Sequence, residues 1–275
     1  MGTIILAHGI FGFGDLLPGF PSLVNYFNGV ELHLGGFPKV FVPNVDPIGS
    51  IEKRAKQLAS AIGNRDDLVD PLHIIAHSMG GLDARFLITH LRDVGQRVAT
   101  LVTIGTPHTG SPVADAFENP LDPLRAHIPP FIMKQLQENA GAVHDLTTDS
   151  CRQFNIDTPD MKQGVRYFEI AGDAPQDDSE LLLYDLAAEI GKIKGPNDGV
   201  VTVESAQRTG RKLLDVWRAD HAAEIGWSKA ILNVLHPFKA MEAFKEHLAR
   251  YDAIVAAINT AKGPARGKVA EPISF

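Results

Sequence analysis

Six short runs of apolar, β-prone residues punctuate the chain, at Thr3–Ala7, Val40–Val45, Leu72–Ala76, Val98–Ile104, Val165–Ala171 and Lys212–Trp217. They are mostly uninterrupted rather than alternating, which is the pattern of strands covered on both faces. Between several of them the apolar positions switch to helical spacing. Ile51, Ala55, Leu58, Ala59 and Ile62, for example, recur on one face after Ser50, a residue type suited to capping. Strand alternating with helix implies right-handed crossovers, and so an α/β fold with a mainly parallel central sheet flanked by helices.

Two stretches break the rhythm. From Gly110 to Gly164 the chain holds Pro120, Pro123, Pro129 and Pro130 around a helix predicted at Phe131 to Asn139. That is far longer than the usual ~2–6 residues of a connection, and insertions of this size are commonly lids or substrate-shaping caps. A second stretch, Gln176 to Lys194, contains the amphipathic segment Ser179 to Ile190. Beyond His236-Pro237, Phe238, Met241, Phe244, Leu248, Tyr251 and Val255 mark one long terminal helix. The expected organisation is a single domain over 1–262 with a helical lid inserted at about 110–164, and a flexible tail over 263–275.

Composition narrows the function. With 275 residues, 44% of them hydrophobic, the chain can build one large core. Lys and Arg total 26 against 33 Asp and Glu, a net charge of −7, with no basic stripe, which argues against nucleic acid as a partner. No apolar stretch reaches the ~18 residues that cross a bilayer, so no transmembrane segment is expected. Met1-Gly2 runs at once into Ile4-Ile5-Leu6 without the start of a secretory leader. As it stands the chain reads as cytoplasmic, or as secreted if a leader was removed from it. A lone cysteine, Cys151, cannot form an intrachain disulfide.

The sharpest chemical signal is Leu72-His73-Ile74-Ile75-Ala76-His77-Ser78-Met79-Gly80-Gly81, a strand running into a small-x-Ser-x-Gly turn and then a helix. This is the layout of a nucleophile elbow, in which the residues two before and two after the serine must be small so that strand and helix can approach. Ala76 and Gly80 satisfy that demand. Alone, the pattern leaves open a Ser-Gly turn without chemistry. The second signal, His8-Gly9-Ile10-Phe11-Gly12-Phe13-Gly14, follows the first strand, and its glycines let backbone N–H groups turn inward. The Ile10 and Met79 N–H groups are thereby candidate oxyanion donors. A phosphate loop is the bland alternative, but the spacing fails the dinucleotide fingerprint and no P-loop Lys-Ser/Thr pair follows.

A serine needs a base, and the base needs a carboxylate to fix its tautomer. His221 lies just past the last predicted strand. Asp198, in Asn197-Asp198-Gly199, precedes it by 23 residues, and Asp173 is the rival acid. His77 and His108 read as hydrogen-bonded structural residues, since a base must reach Ser78 from another loop. His33, His127, His144, His236 and His247 show no metal-ligand spacing.

Taken together, His8-Gly9-Ile10, Ala76-His77-Ser78-Met79-Gly80-Gly81, Gly105-Thr106-Pro107-His108-Thr109-Gly110, Asn197-Asp198-Gly199-Val200-Val201 and Asp220-His221 resemble, in order, a bacterial lipase or esterase of the α/β-hydrolase superfamily. The resemblance implies Ser78, Asp198 and His221 as the triad, Ile10 and Met79 as the oxyanion residues, and a lid after Gly110. Ala76 stands where the elbow more often has glycine, as in small Bacillus-type lipases. Pseudomonas-type lipases carry an Asp two residues after the histidine and a Gln six after it for a structural calcium. Here those places are Ala223 and Trp227, so no metal is expected.

The expected activity is carboxylic-ester hydrolysis, most simply by a triacylglycerol lipase acting through an acyl-enzyme without a cofactor, on a lipid or other ester and compatibly with a lipid–water interface. An acyltransferase, phospholipase or polyester hydrolase would share the triad, and a silent hydrolase fold used for binding would lack a member of it. Phe11, Phe13, Leu16, Leu17 and Phe20, with Pro129 to Met133, offer apolar surface for an acyl chain.

Overall fold

The computed structural model describes residues 2–10, 26–36, 39–159, 164–175, 183–208, 212–228, 231 and 235–260, apart from the side chain of Phe131. Phe11, Phe13, Leu16, Leu17 and Phe20 and the tail over 263–275 therefore lie outside the described residues.

Six parallel strands form one sheet: β1 (Thr3–Ala7), β2 (Lys39–Phe41), β3 (Leu72–His77), β4 (Val98–Ile104), β5 (Arg166–Gly172) and β6 (Asp215–Trp217), in the order β2-β1-β3-β4-β5-β6. The inner strands β1 and β3 are buried at every position, as their unbroken apolar runs require. The edges are shorter than the pattern predicts. Pairing of β2 with β1 stops at Phe41 opposite Ile5, and the Val45 N–H turns to the His8 ring instead of a ladder partner. At the other edge Asp215 and Val216 are exposed and only Trp217 is buried. An apolar run marks a strand but does not show how far a neighbour accompanies it.

Helix α1 (Ile51–Gly63) starts where Ser50 Oγ accepts the Lys53 N–H, and it buries Ile51, Arg54, Ala55, Leu58 and Ile62. Arg54 is the exception on this stripe, a guanidinium with no exposed surface. Helix α2 (Met79–His90) leaves the sheet directly after Ser78. Between β4 and β5 stand α3 (Pro112–Glu118), α4 (Pro130–Glu138), α5 (Ala140–His144) and α6 (Thr148–Asp157). The predicted helix at 131–139 thus exists, shifted by one residue because Pro130 sits in its first turn. Helix α7 (Tyr184–Lys194) lies in the second insertion, and α8 (Pro237–Thr260) is the long terminal helix.

The core has two large clusters associated with the sheet. A third joins Met79 and Leu82 of α2 to Val113, Leu124, Ile132, Leu136, Val143, Leu186 and Ile190. The inserted helices consequently pack on the start of α2, beside the carboxyl ends of the strands, and Ile10 packs against the same cluster.

Two glycines give a paired test of this packing. A Cβ on Gly80 would stand 2.6 Å from the Ala7 backbone oxygen, whereas one on Gly63 meets only Val94, at 4.0 Å. Gly80→Ala should cost about 1–3 kcal/mol through forced backbone movement. Gly63→Ala should add up to about 1 kcal/mol of helix propensity. Thermal denaturation of the two variants checks the contrast.

Candidate active site

The carboxyl end of β3 delivers Ser78 into a turn that no ordinary residue adopts freely. Its φ of 55° and ψ of −132° make it the non-glycine residue with positive φ among the described residues. Such strain persists only where the surroundings hold it. Ser78 N donates to Ile104 O at 2.9 Å, and Ser78 O accepts from Gly81 N at 3.0 Å and from Thr106 Oγ1 at 2.9 Å. Thr106 also fills the space over Gly81, where a Cβ would lie 2.2 Å from its hydroxyl. The strand exit, the helix start and the turn after β4 thus lock the elbow from three sides. Met79 begins α2, where the first N–H groups lack intrahelical partners and carry the positive end of the helix dipole.

Gly9 faces this turn. A Cβ there would be 2.7 Å from Ser78 Cβ, so the segment His8-Gly9-Ile10 runs against the serine. Across the sheet edge, His221 follows β6, and the whole stretch 219–228 is buried. Its Nδ1 lies 2.7 Å from Asp198 Oδ2, and its backbone N donates to Asp198 O at 2.8 Å. Asp198 Oδ1 meanwhile accepts from Val200 N and Val201 N at 2.8 and 2.6 Å. This tight turn explains the Asn-Asp-Gly sequence, because Asn197 Oδ1 also accepts from Gly199 N, at 2.8 Å, and Gly199 sits at φ 90°. With the ring proton on Nδ1 facing Asp198, Nε2 is left as the basic nitrogen. Of the two candidate acids, Asp198 faces the imidazole; Asp173 is tied by its backbone N–H to Trp217 O.

One buried group was not read from sequence as part of the site. Glu224, one helical turn beyond His221, turns its carboxylate inward: Oε2 is 3.0 Å from His77 Nε2 and 3.4 Å from His221 Nδ1. It occupies a slot walled by Gly105 and Gly172, where Cβ atoms would stand 2.2 and 2.5 Å from its oxygens. His77 Nδ1 in turn meets the Tyr26 hydroxyl at 2.7 Å, and its ring lies 4.4 Å from that of His221. His77 and His108 are both hydrogen-bonded inside the core, the latter to Thr103 and Arg85. Only Gly105, after β4, and Gly172, the last residue of β5, could have signalled the Glu224 slot.

The side chains of the histidine loop are turned towards protein groups. Asp220 accepts from Leu183 N and Ala223 N at 2.7 and 2.8 Å, Glu224 faces the two histidines, and Trp227 Nε1 donates to Tyr26 O at 3.1 Å. Ala223 and Trp227 bring no oxygen side chain, so these residues do not fit a calcium ion. Packing and hydrogen bonds to protein groups hold the loop.

The chain has counterparts among known proteins. Residues 50–147 match a family model described as a PGAP1-like alpha/beta domain. The chain is 32% identical over 205 residues to triacylglycerol lipase 2 of Saccharomyces cerevisiae, covering 70% of this chain and 59% of that protein. Among solved structures it superposes on a metagenomic carboxyl esterase with a TM-score of 0.68 at 19% identity, covering 94% of this chain and 75% of the other. The mature lipase BlEst2 of Bacillus licheniformis gives 0.63 at 21% identity, covering 86% and 91%. The chain has the α/β-hydrolase fold of these solved structures. It spans about three-fifths of the yeast relative's length.

The electrostatics around His221 are set by competing influences. Burial disfavours the imidazolium of His221, but the Asp198 and Glu224 carboxyl groups outweigh it and raise its pKa. Burial, with the Asp198 charge, also raises Glu224, whose Oε1 has no hydrogen-bond partner. Replacing Glu224 by Gln removes a group that favours the imidazolium. The acid limb of a kcat/KM profile should therefore move to lower pH in Glu224→Gln, since the neutral base persists further into acid. An unmoved limb would show that the two groups titrate independently.

Proposed function

We propose that the protein hydrolyses carboxylic esters through a serine acyl-enzyme, acting as a lipase on acylglycerol-type substrates. The observation that carries this reading is the 2.7 Å contact between His221 Nδ1 and Asp198 Oδ2, beside the strained turn that presents Ser78. The lipases and esterases among its relatives support the substrate class. No helix among the described residues is long and apolar enough to cross a membrane.

In this mechanism Ser78 Oγ attacks the ester carbonyl carbon while its proton passes to His221 Nε2. Asp198 holds the imidazole in the required tautomer and faces the imidazolium that forms. The carbonyl π electrons move onto oxygen, and the Ile10 and Met79 N–H groups donate to that oxyanion. Collapse expels the alcohol, which takes the proton from Nε2. Water then repeats the sequence on the acyl-enzyme to release the acid and free Ser78. The helices between β4 and β5 serve as a lid over the acyl site, with Ile132 as one of its inward-facing residues.

Ser78→Ala and His221→Ala should each nearly abolish ester hydrolysis, and the double variant should be hardly worse, because triad members act as a unit. Asp198→Asn should lower kcat by on the order of 10⁴, while Asp173→Asn changes it little. Initial rates on esters from acetyl to octadecanoyl, with fluorophosphonate labelling of Ser78, test these together. Absence of both labelling and hydrolysis in the wild type would favour a binding role. For the lid, Ile132→Ser should reduce activity on long-chain esters more than on acetyl esters. Equal losses would make Ile132 plain core.

A further inference from the structure

The two nitrogens of the buried His8 ring face groups of opposite kind. Nε2 lies 3.3 Å from the Val45 backbone nitrogen, which can only donate, so Nε2 accepts and the ring proton sits on Nδ1. Nδ1–H then donates to the Gly9 carbonyl oxygen at 2.9 Å. Burial, with the charge of Arg54, lowers the His8 pKa to about 4, so the neutral ring is kept over the range in which ester hydrolysis is measured.

Across a trans peptide the C=O and N–H bonds point in opposite directions on one rigid plane. Holding the Gly9 carbonyl consequently fixes the direction of the Ile10 N–H, the group read above as an oxyanion donor. The preceding plane is held as well: Arg54 Nη2 donates to His8 O at 2.6 Å. The same guanidinium reaches Asp83 on α2 through Nε and Asp46 O through Nη1, both at 2.8 Å, and so ties the turn to the helix that begins with Met79.

This restraint answers a specific weakness. Residue 9 must be glycine, because a Cβ would stand 2.7 Å from both Ser78 Cβ and the Tyr26 hydroxyl. Glycine is also the residue whose backbone is least confined. The place where an oxyanion donor must be aimed is therefore the softest point of the turn.

We propose that His8 is a positioning residue for the oxyanion hole, its Nδ1–H holding the Gly9 carbonyl so that the Ile10 N–H is aimed before substrate arrives. This rests on the ester-hydrolase reading.

Two substitutions divide the ring's functions. Asn places an amide N–H about where Nδ1 lies but cannot accept from Val45, whereas Gln can accept from Val45 but cannot donate to the Gly9 carbonyl. His8→Gln should lose about 10–100-fold in kcat with little change in KM, and lose affinity for an alkyl boronic acid, a mimic of the tetrahedral adduct, by a similar factor. His8→Asn should stay within about fivefold of wild type on both measures. A Gln variant equal to wild type, or equal losses in both variants, overturns the proposal. Should both variants fail to fold, ¹⁵N NMR of the wild-type histidines decides: the His8 proton is expected on Nδ1 at neutral pH, and finding it on Nε2 overturns the proposal. A wild type that neither hydrolyses esters nor is labelled at Ser78 overturns the proposed function and this inference together, an outcome distinct from failure of the His8 variants alone.

Discussion

The helix that follows Ser78 passes so close to the end of β1 that a Cβ on Gly80 would stand 2.6 Å from the Ala7 carbonyl oxygen and 2.7 Å from that of His8. Much else in the site follows from this approach. It makes the exit of β1 and the N-terminus of α2 neighbours, so that backbone N–H groups from two separate segments can serve one point. It also forces Gly9 to stay small against Ser78, and places Thr106 where its hydroxyl can hold the Ser78 carbonyl. A larger residue at position 80 would separate the two segments, whatever the triad residues were.

Around this contact the molecule buries charge that its fold alone would not need. Arg54 has no exposed surface, yet three of its nitrogens donate, to Asp83, Asp46 O and His8 O. Glu224 is equally enclosed and faces two histidines. Buried ionic groups are weak contributors to net stability, because desolvation offsets their attraction. Their value here is directional: each fixes the orientation of a backbone or ring that catalysis would use. Both lie at the carboxyl end of the strands, where parallel α/β sheets place their binding crevices.

What the sequence revealed depended on the range of the interaction. The elbow around Ser78 and the turn around Asp198 were legible because the steric demand falls on adjacent residues, and the strand and helix pattern was legible because burial imposes a period. His221 was singled out through chain order, as a histidine just past the last strand. The ends of β2 and β6 were overextended, since pairing at a sheet edge depends on a neighbour that an apolar run does not describe. Glu224 and Arg54 were invisible as site residues because their partners are remote: His77 lies 147 positions from Glu224, and His8 lies 46 from Arg54. Nothing in the helical pattern around Ala55 distinguishes Arg54, and its zero exposure and contact with His8 O are what tie it to the site.

The wall of the site near Tyr26 is fastened from the far end of the chain. Asn28 N donates to Ile225 O at 3.0 Å, Asn28 Nδ2 to Gly226 O at 2.8 Å, and Trp227 Nε1 to Tyr26 O at 3.1 Å, spanning about two hundred positions. Contacts of such sequence separation form late, because loop closure must precede their reward. During synthesis the first strand and its turn must therefore wait, with apolar surface uncovered, until the histidine loop has emerged. The turn around Ser78 can thus form well before the wall beside it, and a nascent chain that has made that turn does not yet have a finished site around it.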